Sequence, residues 1–416
     1  MFGRAYPVDV KFAEIDMFNL KSQAIIILIS CSLDLFAKEL PKKTLDIGQQ
    51  VTFELVGGYR LLAGQIGTSR VAYSAGPIAI SKNDKQLYIA GHSKQFSVAS
   101  FYLPDLIFFE NTDDFPIAKP FSPFVKIAPE RNLSRTADRI TGLEVLGSEL
   151  LVTTDEYYDA NKDNLEHLVV FANRFNLQKS KQSGFFTLQG KSHAAGWMAE
   201  VPPPLSTEIN ALYLAGSASN LPINGRLSIG PTLFTWFPYY LSNHSSSTAI
   251  STTPIIDYST TSPLHKDSYN RTGKNKIWTE LSEAVYGFFL PKQDHYLVLG
   301  SSGGHNSNMG YKIKQSDGRV CPGPCAYEPS DYYNFYWLYE TKEIIQALRT
   351  SKDPSKLRPF RYGKLEIYDN KNKIIGADFN QNSGKLYLLI DKLDNTQTDF
   401  ESLPVLFVYQ LKNVER

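Results

Sequence analysis

An all-β chain built from five repeated four-stranded sheets closed into a ring is what the sequence predicts, on three observations. A three-strand phrase recurs five times along the 416 residues. One more β-type segment follows each phrase except the last. A further apolar segment ahead of the first phrase, VTFELV at 51–56, is placed to supply the strand that the last phrase lacks. Fixed-order self-similarity outranks any single motif, because each unit of a repeat fold buries its faces only against its neighbours.

The phrase consists of a strand carrying Gly or another small residue, a turn, an apolar strand, a polar loop and an aromatic-rich strand. Its clearest copy is GPIAISKNDKQLYIAGHSKQFSVASFYLP at 76–104, with strands at 78–81, 87–91 and 98–103. The second copy places them at 140–146, 150–154 and 168–172, and the third at 197–201, 211–216 and 232–237. The fourth has 285–290, 296–300 and 334–339, and the fifth 374–379, 385–390 and 405–411. The additional β-type segments are expected at 124–128, 185–188, 255–258 and 365–368. One short helix, 341–350, shows Ile344, Ile345 and Leu348 at helical spacing before Asp353-Pro354 ends it, and it reads as an insertion between the last two strands of the fourth unit. The runs 242–276 and 301–330 read as long loops in the third and fourth units.

Four strands per unit, packed radially with only short edges exposed, describe a β-propeller blade. The expected architecture is therefore a five-bladed propeller occupying residues 49–416, with 1–48 as a signal or lipoprotein segment and linker. A β-sandwich followed by a second β domain is the competing reading of regularly spaced strands. The pattern, with the phrases Gly196-Trp197-Met198 and Leu357-Arg358-Pro359, resembles the five-bladed propellers of bacterial secreted proteins. That resemblance implies the architecture over roughly residues 50–411 and no particular activity.

Composition narrows the function classes. The abundance of Tyr (24) and Phe (25) suits many short strands, and a formal net charge of +1 without a dense basic run argues against a nucleic-acid partner. Near the N-terminus, Lys21 precedes the apolar run 24–29, which has the shape of a secretory signal and is too short to span a bilayer. Asp9, Glu14 and Asp16 spoil that shape upstream, so the reading takes Met17 as the start. Leu28-Ile-Ser-Cys31 resembles a lipobox, which implies lipidation at Cys31; cleavage after Ala37 is the alternative, and a buried helix the third. Either of the first two places the protein as an outer-membrane or periplasmic lipoprotein or as a soluble secreted chain. Cys321 and Cys325, in Cys-Pro-Gly-Pro-Cys, are expected to pair as a disulfide in that setting.

In a propeller the loops between second and third strands, and the links from each outer strand to the next blade, open on one face around the channel, so that face is the expected site. It carries the ligand-binding candidates His92, Arg139, Asp155, Glu156, His193, His305 and Asn306, joined by Tyr332 and Tyr333 from the densest aromatic cluster, whose rings could stack on sugars. Arg135 and Ser217 to Asn220 belong to the same face. Asp159, Asn161 and Asp163 alternate as oxygen donors, so calcium is possible, although the twelfth position, where a bidentate Glu belongs, is Val170. Ordinary Asx turns explain the same residues.

Five-bladed glycoside hydrolases resemble this chain in architecture and place an acidic residue on the innermost strand of the first blade; here 71–81 has none. Catalytic candidates are therefore Glu200 with Asp155 or Asp378 across the channel, with Glu144 and Glu283 also on inner strands. The expected function is binding of a glycan or an envelope protein by a monomer. The alternatives are a glycoside hydrolase or lyase at the channel, and a structural scaffold in an envelope complex. No cofactor beyond possible calcium is expected.

Overall fold

The structure, a computed structural model, describes residues 44–128, 136–159, 161–217, 228–238, 241, 249–291, 294–368 and 371–412. The segment that closes the molecule comes first. Strand β1 (Thr44–Ile47) turns back onto β2 (Val51–Leu61), so residues read as linker from the sequence already belong to the sheet.

Four strands then follow in antiparallel order: β3 (Ile78–Ile80), β4 (Gln86–Ala90), β5 (Ser97–Tyr102) and β6 (Ile117–Lys126). The next run is β7 (Arg139–Leu146), β8 (Glu149–Asp155), β9 (Leu168–Phe171) and β10 (Gln182–Leu188). After it come β11 (Met198–Glu200), helix α1 (Pro203–Ile209), β12 (Tyr213–Ala215), β13 (Leu233–Trp236), β14 (Ala249–Ile250) and β15 (Thr252–Ile256). Of these, β11, β12, β13 and β15 form one sheet, while β14 pairs back onto β10.

The fourth run begins with β16 (Glu283–Phe289), β17 (His295–Gly303), the small hairpin β18 (Met309–Tyr311) and β19 (Pro324–Ala326), and β20 (Tyr332–Glu340). Helix α2 (Thr341–Thr350) and β21 (Arg361–Lys364) complete it. The last run is β22 (Ile374–Asn380), β23 (Lys385–Asp394) and β24 (Leu403–Leu411).

The free edge of β24 is taken by β2, in antiparallel register with Phe53 opposite Leu411 and Gly58 opposite Phe407. At its far end β2 pairs in parallel with β6 through Arg60 and Leu61, which joins the last run to the first. The leading strands of the five runs meet in a cycle: β3 lies against β7 and β22, β11 against β7 and β16, and β16 against β22. Every strand between two neighbouring sheets is covered on both faces. This explains why β8, β17 and β24 are buried almost without alternation, whereas a half-exposed strand would alternate with period two.

Two corrections to the sequence reading concern outer strands. In the fourth run the paired segment is Arg361–Lys364 rather than 365–368. Leu365 and Ile367 are buried, which produced the alternating signal, but the hydrogen-bonded edge just before them is polar and mostly exposed. In the first run the outer strand begins at Ile117, seven residues before the expected position. Pro120 and Pro123 disguised it, and both are tolerated because β6 is the outermost strand of its run. Helix α1 was not anticipated: Pro203 sits in its first turn, where a missing N–H costs nothing, and Asn210 closes it in the left-handed region with φ 53°. Helix α2 spans the expected residues, between β20 and β21. Among the described residues no helix is long and apolar enough to cross a membrane.

Glycines set how closely the leading strands approach. A Cβ on Gly142 would lie 2.0 Å from the carbonyl oxygen of Gly196, and one on Gly376 would lie 2.0 Å from that of Gly76. Backbone meets backbone at these crossings, and a methyl group has nowhere to go. We expect Gly142→Ala and Gly376→Ala each to lower unfolding free energy by about 3 kcal/mol. Gly323→Ala, whose added methyl meets nothing within 4 Å, stays within about 0.5 kcal/mol of the parent. Urea denaturation of the three variants checks the ranking.

Candidate functional site

The five leading strands run in one direction, so their starts and their ends line different spaces. The starts enclose a cavity of about 150 Å³ whose charged residues are Arg139 and Glu283. Each is already paired: Arg139 with Asp155 at 2.6 Å, over the ring of Tyr157, and Glu283 with Lys373 at 2.8 Å. Trp197 walls this cavity, and its buried indole N–H has no hydrogen-bond partner. No two carboxylates face each other across this opening among its lining residues.

At the opposite end, Glu144, Glu200 and Asp378 converge from β7, β11 and β22 on a space of about 20 Å³. Lys82 pairs with Glu200 at 2.6 Å, and the Tyr213 hydroxyl donates to the same carboxylate at 3.1 Å. Asp378 accepts the Ile80 amide at 2.6 Å and the Tyr286 hydroxyl at 2.9 Å. Glu144 accepts only the amide of Val145, at 3.1 Å, among its side-chain hydrogen bonds. Burial, then the charges of Asp378 and Glu200, holds the Glu144 carboxyl well above the usual carboxylate range. Burial likewise pushes Asp378 up to about 7, opposed by the Ile80 amide and the Tyr286 hydroxyl and reinforced by Glu200. The sequence reading set Glu200 across the channel from Asp155 or Asp378 and left Glu144 on an inner strand without a partner. The signal that could have paired them is their shared place near the end of the leading strand in three separate repeats.

A third space is larger, about 470 Å³, and lies between the second and third runs. His193, in the turn Lys191–His193, bonds through Nδ1 to Asp257 at 2.6 Å, just beyond β15. Gln189, Thr252, Ser259 and Lys162 share the wall, with Phe234 as its aromatic member. The turn is held from behind: Thr232 Oγ1 donates to the His193 carbonyl at 3.0 Å, and Gly190 N donates to Thr252 Oγ1 at 2.8 Å. Asp257 was not anticipated, since the sequence reading placed it inside the third outer strand, 255–258, whereas β15 ends at Ile256.

The remaining candidates separate into groups. Asp155 stands with Arg139 at the start of the leading strands, whereas Glu200 and Asp378 stand at their ends; Glu200 and Asp378 are together, and Asp155 is not with them. Glu156 follows Asp155, whose Oδ1 accepts the Glu156 amide at 2.8 Å. His92 takes the amide of Lys94 on Nδ1 at 3.1 Å and packs edge-on against Tyr73. His305 is buried, bonded through Nε2 to Ser302 and through Nδ1 to the Asn275 carbonyl, and burial lowers its pKa, so it braces its loop in the neutral form. Asn306 is tied to Asp331, Tyr332 to Ser301, and the Tyr333 ring lies beneath Lys364.

Asp159 accepts the amides of Asp163 and Asn164, the Asx-turn use of its carboxylate, and lines the groove of His193. Among the described residues no group of three or more His, Cys, Asp or Glu side chains is arranged to hold a metal ion. Cys321 and Cys325 form a disulfide beside the β18–β19 hairpin. Cys31, Met17, Arg135 and residues 218–220 lie outside the described residues.

The acid cluster has a consequence for stability. A carboxyl raised from about 3.8 to about 7 favours the folded state fully below pH 4, and that contribution is lost as pH rises through 7. The stability of the parent relative to Asp378→Asn therefore falls between pH 4 and pH 7, by no more than about 4 kcal/mol. Urea midpoints of both proteins across that window check it, and a difference that does not change with pH contradicts it.

No family model matches the chain, and no curated protein matches it. Among solved structures, one similar chain comes from work on glycoside hydrolases, within the GH130 family of mannoside phosphorylases, that target β-1,2-mannosidic linkages in Candida mannan. The two superpose with a TM-score of 0.33 at 10% identity, covering 83% of this chain and 86% of that one, and no residue correspondence is drawn from it.

Proposed function

We propose that this chain is an exported, monomeric five-bladed β-propeller that holds a glycan in the groove between its second and third blades without transforming it. The five-bladed reading is supported by the five antiparallel runs, the cycle of leading strands and the docking of β2 on β24. Export is supported by the Cys321–Cys325 disulfide, which suits an oxidising compartment.

The glycan assignment is carried by one observation: the groove of about 470 Å³ is walled mainly by polar side chains around the His193–Asp257 pair. Sugar hydroxyls need donors and acceptors held in fixed positions, and this wall supplies them. The pair supplies an acceptor beside a donor, with the imidazole oriented by the carboxylate. A glycan array followed by calorimetry tests the assignment. His193→Ala and Asp257→Asn should each weaken binding of a retained oligosaccharide at least about tenfold, or about 1.4 kcal/mol. An array that retains nothing, or affinity unchanged in both variants, overturns it.

A second reading, cleavage of a glycoside at the far end of the channel, is favoured by the Glu144, Glu200 and Asp378 cluster. Two carboxyls held toward the protonated form beside one paired with Lys82 divide the roles of acid and base as glycoside cleavage requires. Against it, a space of about 20 Å³ holds a water and not a sugar ring. Turnover of a mixed glycan substrate that vanishes in Glu200→Gln would make this reading the first.

A further inference from the structure

A pocket of about 160 Å³ between the first two runs belongs to neither space described for the proposed function. Tyr102, Phe121 and Phe175 line it, and each is more than half exposed, at 52%, 56% and 52%. What sets these three rings apart from other exposed apolar side chains is that they gather around one opening. Gln86, Asn83 and Arg174 supply the lining with polar groups.

Arg174 is the organising group. Its Nε donates to the Gly147 carbonyl at 2.7 Å, and one Nη donates to the Tyr88 hydroxyl at 2.8 Å and to Gln86 Oε1 at 3.1 Å. The guanidinium carbon sits 4.1 Å from the centroid of Phe175. These bonds to uncharged acceptors fix the plane of the group, and the other Nη enters none of them. Among the described residues no carboxylate pairs with it. The other cation at the pocket, Lys85, is paired with Asp105 outside the lining, so the lining itself carries two cations and no anion. A guanidinium fixed in this way and without a carboxylate partner offers the N–H groups of its remaining Nη to an anionic oxygen.

We propose that this pocket binds the acidic ring of a saccharide, a uronic-acid unit whose carboxylate meets Arg174 while its C–H face stacks on the exposed aromatics. The volume admits about one pyranose ring. The exposed side chain of Asn83 supplies a partner for ring hydroxyls.

The test uses the whole chain with methyl β-D-glucuronide, methyl β-D-glucoside and adenosine monophosphate as probes, read by saturation-transfer NMR and calorimetry. The glucuronide should bind at least tenfold more tightly than the glucoside and than the nucleotide. Tyr102→Ala and Phe175→Ala should each reduce that affinity at least tenfold with the thermal midpoint unchanged, because the rings are exposed. Arg174→Lys should erase the preference for the acid; if that variant fails to fold, the two ring variants still decide. Equal binding of acid and neutral sugar, tighter binding of the nucleotide, binding indifferent to both ring truncations, or no binding overturns the proposal. His193→Ala leaves glucuronide binding intact, so failure of the groove reading and failure of this one are separately visible.

Discussion

The pairing of Val51–Leu61 with Leu403–Leu411 is the contact on which the rest depends. Without it the last run would be a three-stranded sheet with a long apolar edge, and such edges invite pairing with other chains. With it, a segment from the start of the described chain completes a sheet made at the end, and Arg60 and Leu61 carry the same strand onto β6 of the first run. Gly58 makes that passage feasible: the ring of Phe115 lies where its Cβ would stand and packs edge-on against Phe407. The entropic cost of bringing distant segments together grows only slowly with their separation, so one well-packed strand pair can offset it.

Closure by that strand also determines which side chains meet. Where leading strands approach at the distance of Gly142 from Gly196, the spaces at the two ends of their common axis are small. Carboxylates carried at the ends of three such strands have no choice but to converge, and they do so with a lysine and a tyrosine hydroxyl to divide their charge. The larger groove of about 470 Å³ lies between the second and third runs, where loops and outer strands diverge.

Much of the fold was legible because each repeat punctuates its strands with turns. The closing strand, helix α2 and the first three strands of every run follow from apolar runs bounded by polar turns. The outer strands were less legible, since edge strands tolerate proline, as at Pro120, and polar residues, as in RYGK at 361–364. The site was legible only in part. His193 was recognisable as a loop residue of one face, but its partner Asp257 comes from 64 positions later, and sequence spacing has no access to that distance. His305 looked like a ligand residue because the sequence reading placed it in a loop of the nominated face, whereas burial and two hydrogen bonds make it a brace. Arg174 and Phe175 carried no motif at all; their placement depends on the neighbouring run presenting Tyr102 and Phe121.

The ring can be tested at its seam. In a Cys31→Ser background, Glu54→Cys with Gln410→Cys places two thiols on directly opposed positions of β2 and β24. Mild oxidation followed by peptide mass mapping reads the outcome. The account predicts an intramolecular disulfide that forms readily in the folded protein and not after unfolding in urea. Thiols that stay free in the folded chain, or that link only between molecules, would contradict it.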